Sequence, residues 1–307
     1  MRIGIYKDTL ANGRGADVAV KRLAVGLAER KHEVVLFEKG EISARLLERW
    51  DVVISAGTNE LLDLSGYSGA PIVQQFHTNP KGQFKRRRLV RNWRIRHALK
   101  RVAAIQVLQD AFVRQVSAYG PPVAVIGNYI DLPLVEDAVS ARSGKLIVYP
   151  AAYTKSKNHR LLMKAFASLR DDFQNWRIEL YGKDLDSIRM PPAVRAFGWC
   201  DIREVYAKCD FVAFPSVDEG FGLVIAEAAA FGKPAVMIHD WIGTAKAGGG
   251  IVTDPTVAAY AAGLRRLMSD PAFCSSAGAK ARAYCMEHFS KDKIIDKWEA
   301  LLESVIK

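Results

Sequence analysis

The chain has 307 residues, half of them apolar and a quarter charged, and a net charge of +11; that length predicts two domains of about 150 residues each. No apolar run approaches the roughly 20 residues of a membrane span, and Met1 to Lys7 is too short and too soon charged for a signal peptide, which points to a cytoplasmic protein. Four cysteines (Cys200, Cys209, Cys274, Cys285) form no C-x-x-C pair and have no histidine at zinc-ligand spacing, so reduced thiols are expected and neither a disulfide scaffold nor a structural zinc site.

Strand-like apolar runs alternate with helical patterns from the start. Residues 3–6 read as a strand, 16–30 as a helix, 34–37 as a strand, 42–49 as a helix, and 52–55 and 72–76 as strands. A basic helix is predicted from about 83 to 101, a strand over 103–108, a helix near 111–119 and a strand over 123–126. This rhythm predicts parallel strands joined by crossover helices. From 81 to 101 there are ten Lys or Arg residues and no acid, interleaved with Phe84, Leu89, Val90, Trp93, Ile95 and Leu99. A solvated helix face is the plain reading of such a run. With those apolar residues among its cations, it also suits an anionic lipid surface or an anionic acceptor. Nucleic acid is not expected, because the aromatics do not lie on a sheet platform.

The stretch 120–144 is rich in turn formers and small polar residues, so a boundary is placed there. Strands follow at 146–149, 177–181, 193–197, 211–214, 235–238 and 250–252. Helices are predicted at 158–169, weakly at 186–190, at 202–208, and from 222, 256 and 271, with a last amphipathic helix over 291–307. The expected organisation is an N-terminal Rossmann-like domain (1–140), a C-terminal one (141–290) and a closing helix (291–307).

The most informative run is Phe214-Pro-Ser-Val-Asp-Glu219-Gly-Phe-Gly222-Leu-Val-Ile-Ala-Glu227-Ala-Ala-Ala-Phe-Gly232-Lys-Pro234. It reads as a strand end, a glycine turn and a helix start. A helix N-terminus offers unpaired N–H groups and the positive end of a dipole to a phosphate, and Gly220 and Gly222 permit close backbone approach. A carboxylate beside a phosphate site needs another partner, and hydroxyl groups suit it. Turn, phosphate and hydroxyls together suggest a sugar nucleotide.

From Ala207 to Val236 the chain resembles the C-terminal signature of glycosyltransferase family four, the glycosyl transferases group 1. The likeness extends to Gly15–Val34, to Ile126-Gly-Asn-Tyr-Ile-Asp131, to Lys157-Asn-His-Arg-Leu-Leu-Met-Lys-Ala-Phe166 and to Ile251-Val-Thr-Asp-Pro255. The resemblance implies an α/β GT-B fold, with two Rossmann-like domains facing each other across a cleft and a C-terminal helix able to pack back on the first domain. It also implies a retaining, metal-independent hexosyltransferase acting on a nucleoside-diphosphate sugar, with UDP the first expectation and GDP the second, and with no bound cofactor.

By position, the resemblance makes Glu219, Lys157 and His77 the catalytic candidates. Gly15, Arg14, Gly198, Trp199, Gly220, Phe221, Gly222, Leu223 and Glu227 become the donor-binding ones, Glu227 holding the ribose and Trp199 lying against the base. Lys85, Arg86, Arg87, Arg88, Arg91 and Arg94 form the implied acceptor or membrane patch on the inner face of the cytoplasmic membrane. The acceptor is expected to be a lipopolysaccharide core or a lipid-linked glycan. The family's arginine five residues before the lysine is Ala152 here. Asp184-Leu-Asp186 has the form of a metal–diphosphate pair from another glycosyltransferase fold, but it falls in a variable loop of this family, so no metal is expected. Two other readings stay open: a catalytically silent sugar-nucleotide-binding partner subunit, and an epimerase on the same fold.

Overall fold

The computed structural model describes residues 1–10, 15–84, 88–130, 144–198 and 200–306. The expectations placed on Arg14, Lys85, Arg86, Arg87 and Trp199 therefore lie outside the described residues. The chain divides into two units, Met1–Tyr129 with Lys291–Lys307, and Ile130–Ser290. Among the described residues no helix is long and apolar enough to cross a membrane.

The first unit runs β1 (Arg2–Tyr6), α1 (Gly15–Glu29), β2 (Glu33–Phe37), α2 (Ile42–Arg45), β3 (Val52–Ser55), α3 (Thr58–Asp63), β4 (Ile72–Gln75), α4 (Pro80–Gln83), α5 (Leu89–Leu99), β5 (Ala104–Val107), α6 (Asp110–Val116) and β6 (Val123–Val125). All its strand pairs are parallel, in the order β2-β1-β3-β4-β5-β6. The central strands are covered on both faces: every residue of β3 and β5 is buried. That is why they read as unbroken apolar runs and not as alternating ones.

The second unit contains β7 (Leu146–Pro150), α7 (His159–Ala167), β8 (Arg177–Tyr181), β9 (Val194–Phe197), α8 (Ile202–Lys208), β10 (Phe211–Phe214), α9 (Leu223–Ala230), β11 (Ala235–Met237), β12 (Gly250–Val252), α10 (Val257–Ser269) and α11 (Pro271–Phe289). Its six parallel strands take the order β12-β11-β10-β7-β8-β9. The last helix, α12 (Lys291–Val305), belongs to the first unit and packs on α1. It buries Ile294, Ile295, Trp298 and Leu302. A Cβ on Gly26 of α1 would come within 2.5 Å of Ile295, so the glycine permits the close approach. Arg30 bonds Asp296 at 2.7 Å, and His32 meets Glu299 at 2.8 Å along the same seam.

Three expectations differ from the structure. The helix predicted over 42–49 ends at Arg45, because the Arg45 carbonyl accepts the Trp50 indole N–H at 2.8 Å and so ends the ladder. The basic helix predicted from 83 to 101 is divided: α4 ends at Gln83 and α5 starts at Leu89. Cations at i,i+4 without an acid disfavour a continuous helix through that stretch. The weak helix predicted at 186–190 is a single turn over Leu185–Ser187, entered through Asp184 in the left-handed region. Helix α3 is six residues long and was not expected.

Candidate functional site

In an open α/β sheet a ligand crevice forms at the carboxyl ends of the strands, where the strand order reverses. In the second unit that point lies between β7 and β10. The segments leaving these two strands are tied together. The Tyr149 hydroxyl, on β7, donates to the Lys157 carbonyl at 2.7 Å and lies 2.9 Å from Ser216 Oγ. Val217 N–H donates to the Ser156 carbonyl at 2.8 Å. This clamp brings Lys157 to Glu219, and their side chains form a direct ion pair. The ammonium is 25% exposed and the carboxylate 12%, so the pair is half-buried yet open on one side.

Downstream, Phe221 turns into the core and meets Phe289 edge-on at 5.1 Å. That leaves the backbone of Gly220–Gly222 to line the turn. Gly222 caps α9 in the left-handed region, at φ +93°. An added Cβ there would stand 3.3 Å from Trp241 Cβ. Gly222→Ala should therefore cost about 1–2 kcal/mol from backbone strain alone, read as a lowered urea midpoint; an unchanged midpoint would contradict the assigned turn. Helix α9 buries Ile225, Ala226 and Ala228 through Ala230, and Leu223 is partly buried at its start. Glu227 is the one charged residue of this apolar helix. It is half-buried, and after burial its charge is the strongest influence holding the Tyr206 hydroxyl protonated.

Helix α7 starts beside this clamp. Asn158 enters it at φ +52°, and His159 lies between Tyr149 and Tyr153 with ring centroids at 4.8 and 5.4 Å. Burial, aided by the Lys157 charge, pushes the His159 pKa from 6.5 to about 4. An imidazole neutral in the fold but protonated when unfolded stabilises fully above pH 6.5 and loses that contribution as pH falls towards 4. The expected slope is up to about 1.4 kcal/mol per pH unit. In urea titrations between pH 7 and pH 4.5, His159→Gln should flatten the profile. An identical slope in the variant would contradict the burial argument.

The structure thus brings together Lys157, Glu219, Gly220, Phe221, Gly222, Leu223 and Glu227. Gly198 stands apart, exposed after the edge strand β9, two positions from β7. Gly15 opens α1 and is exposed, while His77 follows β4; both are in the first unit. Arg88 and Arg94 are exposed. Arg91 differs from them: it bonds the Gln83 carbonyl at 3.1 Å and Asn59 at 2.8 Å, which ties α5 to α3 and α4. Sequence reasoning missed Tyr149, Ser216 and His159. Of these only His159, next to Lys157-Asn158, stood within a motif.

Comparison with known proteins places this site in a family. The family model for glycosyl transferases group 1 matches residues 144–270, the stretch holding every residue of the clamp. These residues belong to glycosyl transferases group 1. Over 109 residues this group 1 chain is 38% identical to the D-inositol 3-phosphate glycosyltransferase of Kineococcus radiotolerans, covering 31% of the chain and 24% of that protein. The chain spans less than half the length of the curated relatives it matches. Among solved structures, Anabaena HepE in complex with UDP-glucose superposes with a TM-score of 0.81 at 18% identity, over 99% of this chain and 100% of that one. Sucrose-phosphate synthase from Thermosynechococcus elongatus gives 0.82 at 15% identity, over 99% and 98%. These likenesses show the fold: the two doubly wound sheets are those of the GT-B class.

Proposed function

We propose that the chain transfers a hexose from a nucleoside-diphosphate sugar to an acceptor hydroxyl, with retention and without a metal. The observation that carries this is the Lys157–Glu219 pair, held at the switch point of the second sheet beside the left-handed turn that opens α9. The printed activity of the Kineococcus relative and the UDP-glucose bound to HepE support the donor class, and UDP is the expected leaving group, with GDP the second candidate.

The chemistry follows from the pair. With no donor bound, each side chain neutralises the other. When the donor binds, its diphosphate takes over Lys157 and its sugar hydroxyls donate to Glu219. As the bond between the anomeric carbon and the phosphate oxygen breaks, negative charge grows on the diphosphate. Lys157 and the amides around Gly220–Gly222 stabilise that charge where it develops. Glu227 accepts from the ribose hydroxyls. The acceptor oxygen attacks the anomeric carbon from the face the phosphate is leaving, and its proton passes to the departing phosphate oxygen. An α-configured donor should then give an α-linked product, read from the anomeric proton coupling by NMR; a β-linked product would overturn the retaining mechanism.

The acceptor is a lipopolysaccharide-core or lipid-linked glycan, and α5 rests on the inner face of an anionic cytoplasmic membrane. Leu89, Val90 and Trp93 are 75%, 75% and 66% exposed, beside the exposed Arg88 and Arg94. Apolar tips among cations suit the boundary between headgroup and acyl chain. Changing Leu89, Val90 and Trp93 together to Ser should weaken co-sedimentation with phosphatidylglycerol vesicles at least about tenfold, since each buried side chain is worth about 1.5–3 kcal/mol. Undiminished sedimentation would refute membrane docking through α5.

A further inference from the structure

The first unit carries a polar centre that the donor site does not use. Its own strand order reverses between β1 and β3, so the same rule places a crevice above their carboxyl ends. Lys7, the first residue after β1, is 13% exposed. It pairs with Glu60 of α3 and, at 2.6 Å, with Asp8. The Glu60 side chain is 3% exposed and also accepts from the Asp8 N–H at 3.3 Å. Its carboxylate lies where a Cβ on Gly57 would come within 2.3 Å of Oε2, so the glycine before α3 makes room for it. His77, beyond β4, senses the Lys7 charge, and burial pushes its pKa down to about 3. Both its ring nitrogens are buried, with no hydrogen-bond partner among the described residues.

None of this favours the fold. A desolvated ion pair is weak support for stability, and an imidazole with two unpaired nitrogens adds a further cost. Such costs gathered at a switch point mark a ligand site. The chemistry of the ligand follows from the charges. Lys7 set against Asp8 and Glu60 leaves a net negative charge, which repels phosphates and carboxylates. Carboxylate oxygens and an imidazole nitrogen accept O–H groups, while the ammonium and the imidazole N–H donate. The geometry points to a hydroxyl-binding site for an uncharged polyol, formed by Lys7, Asp8, Glu60 and His77 and taking the sugar end of the acceptor. This rests on the proposed glycosyl transfer. It also divides acceptor recognition in two: a neutral sugar at this cluster, and anionic lipid on α5.

Saturation-transfer NMR on the full chain, without donor, tests it with methyl α-D-glucopyranoside, methyl α-D-mannopyranoside and glucose 6-phosphate as probes. At least one uncharged glycoside should bind, and glucose 6-phosphate more weakly. Glu60→Gln should weaken the glycoside at least about tenfold, the loss expected for one charge-assisted hydrogen bond. Asp8→Asn, a change at a more exposed side chain, should narrow the preference for the uncharged probe. UDP affinity should be unchanged in both variants. Absence of glycoside binding, tighter binding of the phosphate, or glycoside affinity equal to wild type in both folded variants would overturn the assignment. Failure to bind UDP would instead count against the donor site, and the glycoside comparison would stand.

Discussion

Lys157→Ala should lower the rate of nucleoside diphosphate release from the donor by about 10²–10³-fold, the cost of removing one preorganised charge from a developing oxyanion. The lysine's partners make the reading selective. Its backbone carbonyl is held by Tyr149 and its ammonium by Glu219. The substitution removes the charge but keeps the backbone anchor, so the loop should hold its place. Glu219 would lose its cation, and at 12% exposure an unpaired carboxylate is costly. A double variant, Lys157→Ala with Glu219→Gln, should therefore recover stability without recovering rate. Loss of rate that tracks loss of folded protein across both variants would assign Lys157 a structural role only.

Glu227→Ala should weaken UDP binding by about 10²-fold or more, because two charge-assisted hydrogen bonds to ribose hydroxyls are worth about 3 kcal/mol together at the low end. The position tolerates the change: α9 is already rich in alanine, and alanine is the strongest helix former. Isothermal titration with UDP is the direct measurement, and glucose 1-phosphate is a useful control that carries no ribose. Equal UDP affinity in a folded variant would remove Glu227 from the donor site.

What could be read from the residues follows from how local each signal is. The β3 and β5 strands were legible because full burial on both faces leaves an unbroken apolar run. The Glu219–Glu227 element was legible because glycine, carboxylate and helix start lie within a dozen residues. The Tyr149 clamp was not, since a tyrosine in Leu146–Pro150 reads as one more core residue until its hydroxyl is seen meeting Lys157 and Ser216. Lys7 and Glu60 are 53 residues apart, and each alone reads as an ordinary surface charge. Only the parallel pairing of β1 with β3 sets them side by side. Helix α3 was missed because six residues give too little periodicity, and the end of α2 because Trp50 caps it from outside the helix.

One measurement bears most directly on the donor chemistry: nucleoside diphosphate release from UDP-glucose, UDP-galactose, UDP-N-acetylglucosamine and GDP-mannose, by wild type and by Lys157→Ala. Release from one UDP donor by the wild type, lowered about 10²–10³-fold in the variant, is the predicted result. Release equal in the two proteins, or absent from every donor in folded wild type that binds UDP, would contradict it.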